Sequence, residues 1–324
     1  MDYDRVSEKD WEELIQKSDN TYFFCSPLWA KIIEKSFDDY RTATRLYHIN
    51  DKTILVPMME KNPHGFKYFE SMPGGYGGFF SESDITTDDF KSIVNDIVGG
   101  RNLSFSLALP PFEHIKPGKS PIKDEWKLKD IDNYVHFLDI ENKDFKQIWK
   151  NNFKKSTRKH IRKAKRSGVE TRDASSIDDF KTYYDIYVKA TKKWGLGSPE
   201  YPFDFSRNLY MYGSSHVKLR LAFKDDKIIA GLLCFHYAKT IYQYSSAFLP
   251  EYGNLNPGNL LRSDAINQAC IKNYKVYNLG HSGDLKGVRK FKAGFGAEEV
   301  EVKRYLAWSK GGRILNQIKN SFLK

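Results

Sequence analysis

The spacing of apolar positions predicts elements most clearly in the second half of the chain. Residues 217–223 alternate apolar and polar, residues 228–237 form a long apolar run, and residues 240–248 form a third; all three read as strands. Lys224-Asp225-Asp226-Lys227 supplies the first turn. Ahead of them, residues 168–174 read as a short strand. Asp178 is placed to cap a helix running to about residue 194, with Phe180, Tyr184, Tyr187 and Val188 on its apolar side. A second helix covers residues 203–212. Behind them, Pro257-Gly258 opens a helix to about residue 273, followed by a strand at 275–279 and one more at 298–308.

The first half repeats this order. Helices are predicted around Trp11 to Ile15 and over 27–37, strands over 43–49 and 53–59 with Asn50-Asp51-Lys52 between them, a helix over 88–97 and a strand over 103–107. Asp51 answers Asp226, Leu28 answers Phe203, and Leu103 answers Val276 or Tyr277, each roughly 174 residues on. The expectation is two copies of one α/β unit with mixed sheets (α+β in character), divided into residues 1–144 and 145–324. Two helices followed by a strand meander differ from strict βαβ alternation, and the chain has neither GxGxxG nor GxxxxGK[ST].

Composition changes this picture at one point. The 324 residues are 40% hydrophobic and 15% aromatic, enough for two sizeable cores, and the net charge is +11. Ten lysines and arginines with no acidic residue lie between Phe145 and Val169, so the remainder is nearly neutral. Such a segment attracts phosphates, nucleic acid or an anionic membrane face. Cys25, Cys234 and Cys270 stand far apart without a CxxC pair, which suggests neither a disulfide framework nor a metal site. No apolar run reaches the ~18 residues of a membrane span. The acidic start, with Asp2, Asp4, Glu8 and Asp10, argues against a signal peptide. A cytoplasmic protein is expected, with contact at the inner membrane surface as an added option. For that contact, Gly311-Gly312 precedes a predicted terminal helix carrying Ile314, Leu315, Ile318 and Phe322 on one side.

Three stretches carry a family resemblance. They are the basic run Trp149 to Ala164 leading into Gly168-Val169; Tyr242-Gln243-Tyr244-Ser245-Ser246-Ala247 followed by Pro257-Gly258-Asn259-Leu260-Leu261; and Tyr277-Asn278-Leu279-Gly280 followed by Phe291-Lys292-Ala293-Gly294-Phe295-Gly296. Together they resemble the FemAB-type branch of the GNAT acyltransferases, and the Phe-Lys-x-Gly-Phe-Gly run is the most specific. The resemblance covers about residues 145–300. It implies tandem GNAT-like domains with a cleft between them, and transfer of an aminoacyl group from tRNA to a cell-wall (peptidoglycan) precursor in one branch. Trp29 is similar to the family's tryptophan, whereas Ile33 stands where its phosphate-binding lysine is expected, and the coiled-coil insertion of some members is missing.

Aminolysis of an ester or thioester needs a neutral amine, an oriented carbonyl and stabilisation of the oxyanion, but no covalent enzyme nucleophile. The resemblance implies that Lys292 lies near the reacting carbonyl, where its ammonium would stabilise the oxyanion or the leaving 3′-oxygen. Phe291 would wall the site or stack on a terminal adenine. The resemblance also turns Tyr244 toward substrate; Tyr201 is a candidate of the same kind. Arg158 and Arg162, on the basic helix, would grip tRNA or diphosphate. That helix is expected to bury Trp149, Phe153, His160 or Ile161, and Ala164.

Asn256, Gly258 and Asn259 open a helix where ordinary GNAT enzymes hold the coenzyme A pyrophosphate on backbone N–H groups, although Pro and Gly are common there for structural reasons. His281, with Asp284, follows a strand in a polar loop that can carry a general base. Pro73-Gly74-Gly75-Tyr76-Gly77-Gly78 reads as a flexible loop bordering the acceptor.

The leading expectation is therefore an aminoacyl transferase with no bound cofactor, using aminoacyl-tRNA as co-substrate and a small-molecule or lipid-linked amine as acceptor. The alternatives are an acyl-CoA-dependent N-acyltransferase acting on an amino sugar or peptide, and a catalytically silent RNA-binding protein. The oligomeric state is not specified by the sequence.

Overall fold

The polar–apolar pattern resolves into two units in the structure, a computed structural model that describes residues 3–17, 21–62, 66–99, 102–110, 127–128, 134–193, 198–213, 215–283, 285–302 and 304–315. Unit 1 comprises Met1–Asp132 and Val302–Lys324; unit 2 comprises Asn133–Glu301.

Unit 1 begins with β1 (Tyr3–Asp4), α1 (Glu8–Gln16) and α2 (Pro27–Ser36). Ser7 and Ser26 cap the two helices, each hydroxyl accepting from the backbone N–H three residues on. Next come β2 (Tyr40–Thr42), β3 (Arg45–Ile49), β4 (Lys52–Val56), β5 (Met59–Lys61), β6 (Lys67–Ser71), α3 (Thr87–Ile97), β7 (Asn102–Ala108) and β8 (Lys127–Leu128). The strand expected over 53–59 breaks at Pro57, which cannot donate to a ladder, so β4 and β5 lie in different sheets.

Unit 2 runs β9 (Tyr134–Asp139), α4 (Phe145–Asn151), α5 (Lys155–Arg166), β10 (Glu170–Asp173), α6 (Ile177–Lys193), α7 (Phe203–Tyr212), β11 (Val217–Lys224), β12 (Lys227–Tyr237), β13 (Thr240–Phe248), α8 (Pro257–Ile271), β14 (Val276–His281), α9 (Lys286–Ala293) and β15 (Glu298–Glu301). Its strands form one sheet in the order β10-β11-β12-β13-β14-β9-β15. The chain then returns to unit 1 as β16 (Arg304–Trp308), giving the sheet β2-β5-β6-β7-β16-β8 beside the smaller β1-β3-β4.

The repeated order is visible in the two hairpins. Asn50 and Asp51 turn between β3 and β4 with φ of 48° and 61°, and Asp225 and Asp226 turn between β11 and β12 with the same two values. Two consecutive positive φ angles define the tight turn that matches strand twist, and Asn and Asp tolerate them best. In both units a helix then joins two parallel neighbours: α3 links β6 to β7, and α8 links β13 to β14.

Several expectations are corrected. The boundary drawn at 144/145 misses β9, which pairs with β14 and β15, and β16, which pairs with β7 and β8. The strand expected over 298–308 is two strands in different sheets. The single basic helix is two helices, α4 and α5, separated at residues 152–154. Ile161, not His160, enters the core, with Phe153 and Ala164; His160 is exposed. Residues 73–78 are not a flexible loop: Tyr76 is fully buried, Trp29 Nε1 donates to Pro73 O at 3.0 Å, and a side chain at Gly75 would collide with the Phe24 ring. The helical turn at 310–315 includes Gly311 and Gly312 instead of following them. Ile318, Phe322 and the expected helix end at residue 194 lie outside the described residues. Among the described residues no helix is long and apolar enough to cross a membrane.

Candidate active site

The two parallel pairs differ in one respect that picks out unit 2. In unit 1, pairing follows β6 along its whole length, from Lys67↔Asn102 to Ser71↔Leu107. In unit 2, β13 pairs with β14 only at Thr240↔Val276, Ile241↔Tyr277 and Tyr242↔Asn278, although both strands continue. Each strand carries an irregularity where they part. Opposite β12, Cys234 meets Gln243 and Leu233 meets Ser245, so Tyr244 is the extra residue. Opposite β9, Asn278 meets Phe137 and His281 meets Val135, so Leu279 and Gly280 face only His136. Gly280 has φ +75°, and a side chain there would collide with Gln243 O.

Lys292 binds two carbonyls at the end of this irregular stretch. Its Nζ donates to Gly280 O at 2.8 Å and His281 O at 2.6 Å, and the residue is only 3% exposed. It comes from α9, which follows β14 at once and ends at Gly294. Phe295 is fully buried and meets Phe291 and Phe153 edge-on at 5.5 and 5.2 Å between ring centroids. The Phe-Lys-x-Gly-Phe-Gly run and the apolar side of the basic segment thus share one aromatic core. Burial first, and then the nearby Arg262 guanidinium, hold the Lys292 ammonium down to about 7.

Sequence patterning gave no reason to single out Arg262. It lies on α8 four residues after Gly258, hence on the same face, and Nη1 donates to Gly258 O at 3.0 Å. The guanidinium lies 4.8 Å from the Phe291 ring centroid, and burial lowers its affinity for its proton. His136 on β9 was also missed. Its Nδ1 lies 3.1 Å from Ser282 Oγ, and its Nε2 lies 3.2 Å from Glu299 Oε2 but off the hydrogen-bonding direction. Burial, reinforced by Lys292, keeps this imidazole neutral. Arg289 holds Glu299 through two hydrogen bonds.

Tyr244 and Tyr201 come together, with centroids 6.3 Å apart. Tyr201 stacks on Tyr187 at 4.5 Å and its hydroxyl lies 3.3 Å from Ser245 Oγ, which Tyr183 approaches at 2.7 Å. Burial pushes the phenols of Tyr183, Tyr201 and Tyr244 up, so all three are neutral hydrogen-bonding groups at neutral pH. Asn256, in the left-handed region (φ 58°), Gly258 and the buried Asn259 stand at the start of α8, which has no side-chain cap. The His281 ring meets Tyr242 edge-on at 6.3 Å, while its carbonyl serves Lys292; Asp284 lies outside the described residues.

The basic side chains of the segment are separate from this cluster. Arg158 Nη1 donates to Trp149 O and Lys150 O, both at 2.9 Å, and so closes the end of α4. Arg162 lies 5.6 Å over the Trp149 ring. Neither has a hydrogen bond, ion pair or ring contact with Lys292 or Tyr244. The other eight basic residues of the segment are exposed, and among the described residues none of the ten pairs with a carboxylate.

Comparison with known proteins agrees with the geometry. Residues 151–293 match the family profile of the acetyltransferase (GNAT) domain. The fold is similar to that of FemX (TM-score 0.75, 11% identity, covering 98% of this chain and 99% of that one). It is also similar to the C-terminal domain of a proposed lysylphosphatidylglycerol synthetase from Agrobacterium fabrum (0.61, 12%, 98% and 96%). A tandem GNAT protein from the clavulanic acid biosynthesis pathway follows (0.58, 9%, 93% and 94%). No curated protein matches the chain in sequence.

Proposed function

From a chain with a GNAT acyltransferase domain at residues 151–293 and a fold similar to those of FemX and of a tandem GNAT protein, we propose transfer of an acyl or aminoacyl group from an ester or thioester carrier to an amine, at the opening between β13 and β14. The observation that carries this reading is the buried Lys292 held on the Gly280 and His281 carbonyls. In the reaction the amine nitrogen bonds to the carbonyl carbon, the carbon–oxygen or carbon–sulfur bond breaks, the amine loses a proton and the leaving group requires one. A lysine poised near pH 7 takes up the first proton as a neutral amine and returns it as an ammonium, the form that also stabilises the oxyanion.

Lys292→Met is expected to lower transfer by about 100-fold, roughly 3 kcal/mol, the scale of one lost oxyanion donor. Single-turnover assays with charged tRNA and with acetyl-CoA, on protein whose circular dichroism is unchanged, test this; a loss below about tenfold would exclude the role.

The donor favoured is aminoacyl-tRNA, and the acceptor a small or lipid-linked amine of the cell envelope. The exposed, unpaired basic face of α5 supports a polyanionic donor, and the likeness to the lysylphosphatidylglycerol synthetase domain supports aminoacyl chemistry. Such a donor also favours a cytoplasmic setting. Acyl-CoA is the second reading, favoured by the uncapped start of α8 at Asn256 and Gly258. Salt-sensitive binding of charged tRNA alone supports the first, and binding of acetyl-CoA alone supports the second.

A further inference from the structure

We propose that His136 is a positioning residue for the transfer reaction: held between Ser282 and Glu299, it fixes the irregular end of β14, whose two carbonyls orient the Lys292 amine. The proposal rests on the transfer reading for what the amine does, and on hydrogen bonds within unit 2 for how it is held.

Where β14 is irregular, His136 is the one residue of β9 that faces both Leu279 and Gly280. Hydrogen bonds hold the stretch at each end. Asn278 Oδ1 accepts from Gly280 N–H at 2.8 Å, and Ser282 N–H donates to Tyr134 O at 2.8 Å. The Ser282 hydroxyl lies 3.1 Å from His136 Nδ1, and both residues are buried. Glu299 decides which of these two groups donates. Its Oε2 lies 3.2 Å from His136 Nε2, and a carboxylate there favours the tautomer with hydrogen on Nε2. Nδ1 is then the acceptor and the Ser282 hydroxyl the donor. Arg289 holds Glu299 by two hydrogen bonds and lies 4.0 Å over the Tyr134 ring, which closes the network on β9.

The link to the chemistry is geometric. A neutral lysine amine has two N–H bonds and one lone pair. With both N–H bonds given to Gly280 O and His281 O, the lone pair has a single direction left. Along that direction the amine takes up a proton and later returns it. Moving either carbonyl turns it away from the reacting nitrogen. Arg289 and Lys292 are three residues apart on α9, so the helix that carries the amine is tied to β15 through the same Glu299 that flanks His136. Glu299 on β15 and Arg289 and Lys292 on α9 act on His136, and Arg262 on α8 acts on Lys292. Burial first, and then Lys292, keep the imidazole neutral. Replacing it therefore changes positions and not charges.

The test uses the full-length chain carrying isotope-labelled lysine, with the Lys292 resonance assigned through Lys292→Met. That resonance is titrated with pH beside single-turnover transfer from charged tRNA and from acetyl-CoA. His136→Leu is expected to lower the Lys292 midpoint, because carbonyl acceptors hold an ammonium more strongly than an amine. It is also expected to slow transfer about tenfold with donor binding unchanged. His136→Asn, whose Oδ1 takes the place of the accepting Nδ1, is expected to restore both. A midpoint that His136→Leu leaves in place overturns the proposal. So does a shift that His136→Asn fails to reverse, which would trace the effect to lost packing. An acyl group trapped on Ser282 overturns it too, since His136 would then be the base of a nucleophile. If His136→Leu fails to fold, Ser282→Ala takes its place, and an unmoved midpoint there is equally decisive. Transfer retained by Lys292→Met, with the midpoint moved by His136→Leu, would sink the transfer reading alone. Transfer lost in Lys292→Met, with the midpoint unmoved by His136→Leu, would sink the positioning role alone.

Discussion

A lysine side chain buried without a carboxylate is stable only in part as a cation, and Lys292 makes that cost measurable. In the unfolded chain it holds its proton to about pH 10.4; in the folded protein it is released near pH 7. Between those values the unfolded state binds more protons, so this residue makes stability rise with pH. Below pH 7 both states are protonated and the cost of burying the charge is constant. The phenols of Tyr183, Tyr201, Tyr244 and Tyr277 act oppositely: burial keeps them protonated in the fold, so they remove stability once pH passes about 10. Urea unfolding should show stability rising from about pH 7 to 9, with a flatter slope in Lys292→Met. An identical slope in both proteins would mean that Lys292 does not change its charge there.

At the scale of elements, the basic segment divides its charges between two tasks. Arg158 satisfies two carbonyls at the end of α4, while Lys159 and Lys163 are exposed and four residues apart on α5. Arg158→Ala should therefore lower stability by about 1–2 kcal/mol, the cost of orphaned carbonyls, as read by chemical denaturation. Lys159→Glu with Lys163→Glu should leave the melting temperature within a degree or two. It should also weaken charged-tRNA binding and flatten its salt slope by about one unit per lost phosphate contact. The reverse result would exchange the two roles.

The same segment marks the limit of what its residues disclose. Helical periodicity placed Phe153, Ala164 and either His160 or Ile161 in the core but could not show the break at 152–154, because 3.6-residue spacing survives a short kink. Strong local signals revealed the hairpins at Asn50-Asp51 and Asp225-Asp226, and the Phe-Lys-x-Gly-Phe-Gly run disclosed Lys292. β9 stayed hidden because its partners β14 and β15 lie more than a hundred residues ahead. Arg262 stayed hidden because one arginine on a helix gives no sign of burial.

For the whole molecule, the decisive feature is the return of the chain to unit 1. β16 lies between β7 and β8, and Tyr305 and Ala307 fill a core shared with Phe105, Ile93 and Tyr47. A chain ending at residue 301 keeps every strand of the unit 2 sheet but loses an interior strand of unit 1. Limited proteolysis of that truncation should digest unit 1 and spare a fragment near residues 133–301. Equal resistance of both units would show that β16 is dispensable.

The same return imposes an order on biosynthesis. A ribosome reading this message adds every residue of unit 2 before it reaches Arg304–Trp308. Until then β7 carries an open edge, the kind of surface on which nascent chains aggregate. The unit begun at the N-terminus therefore cannot complete its sheet until the chain has passed through the whole of the other.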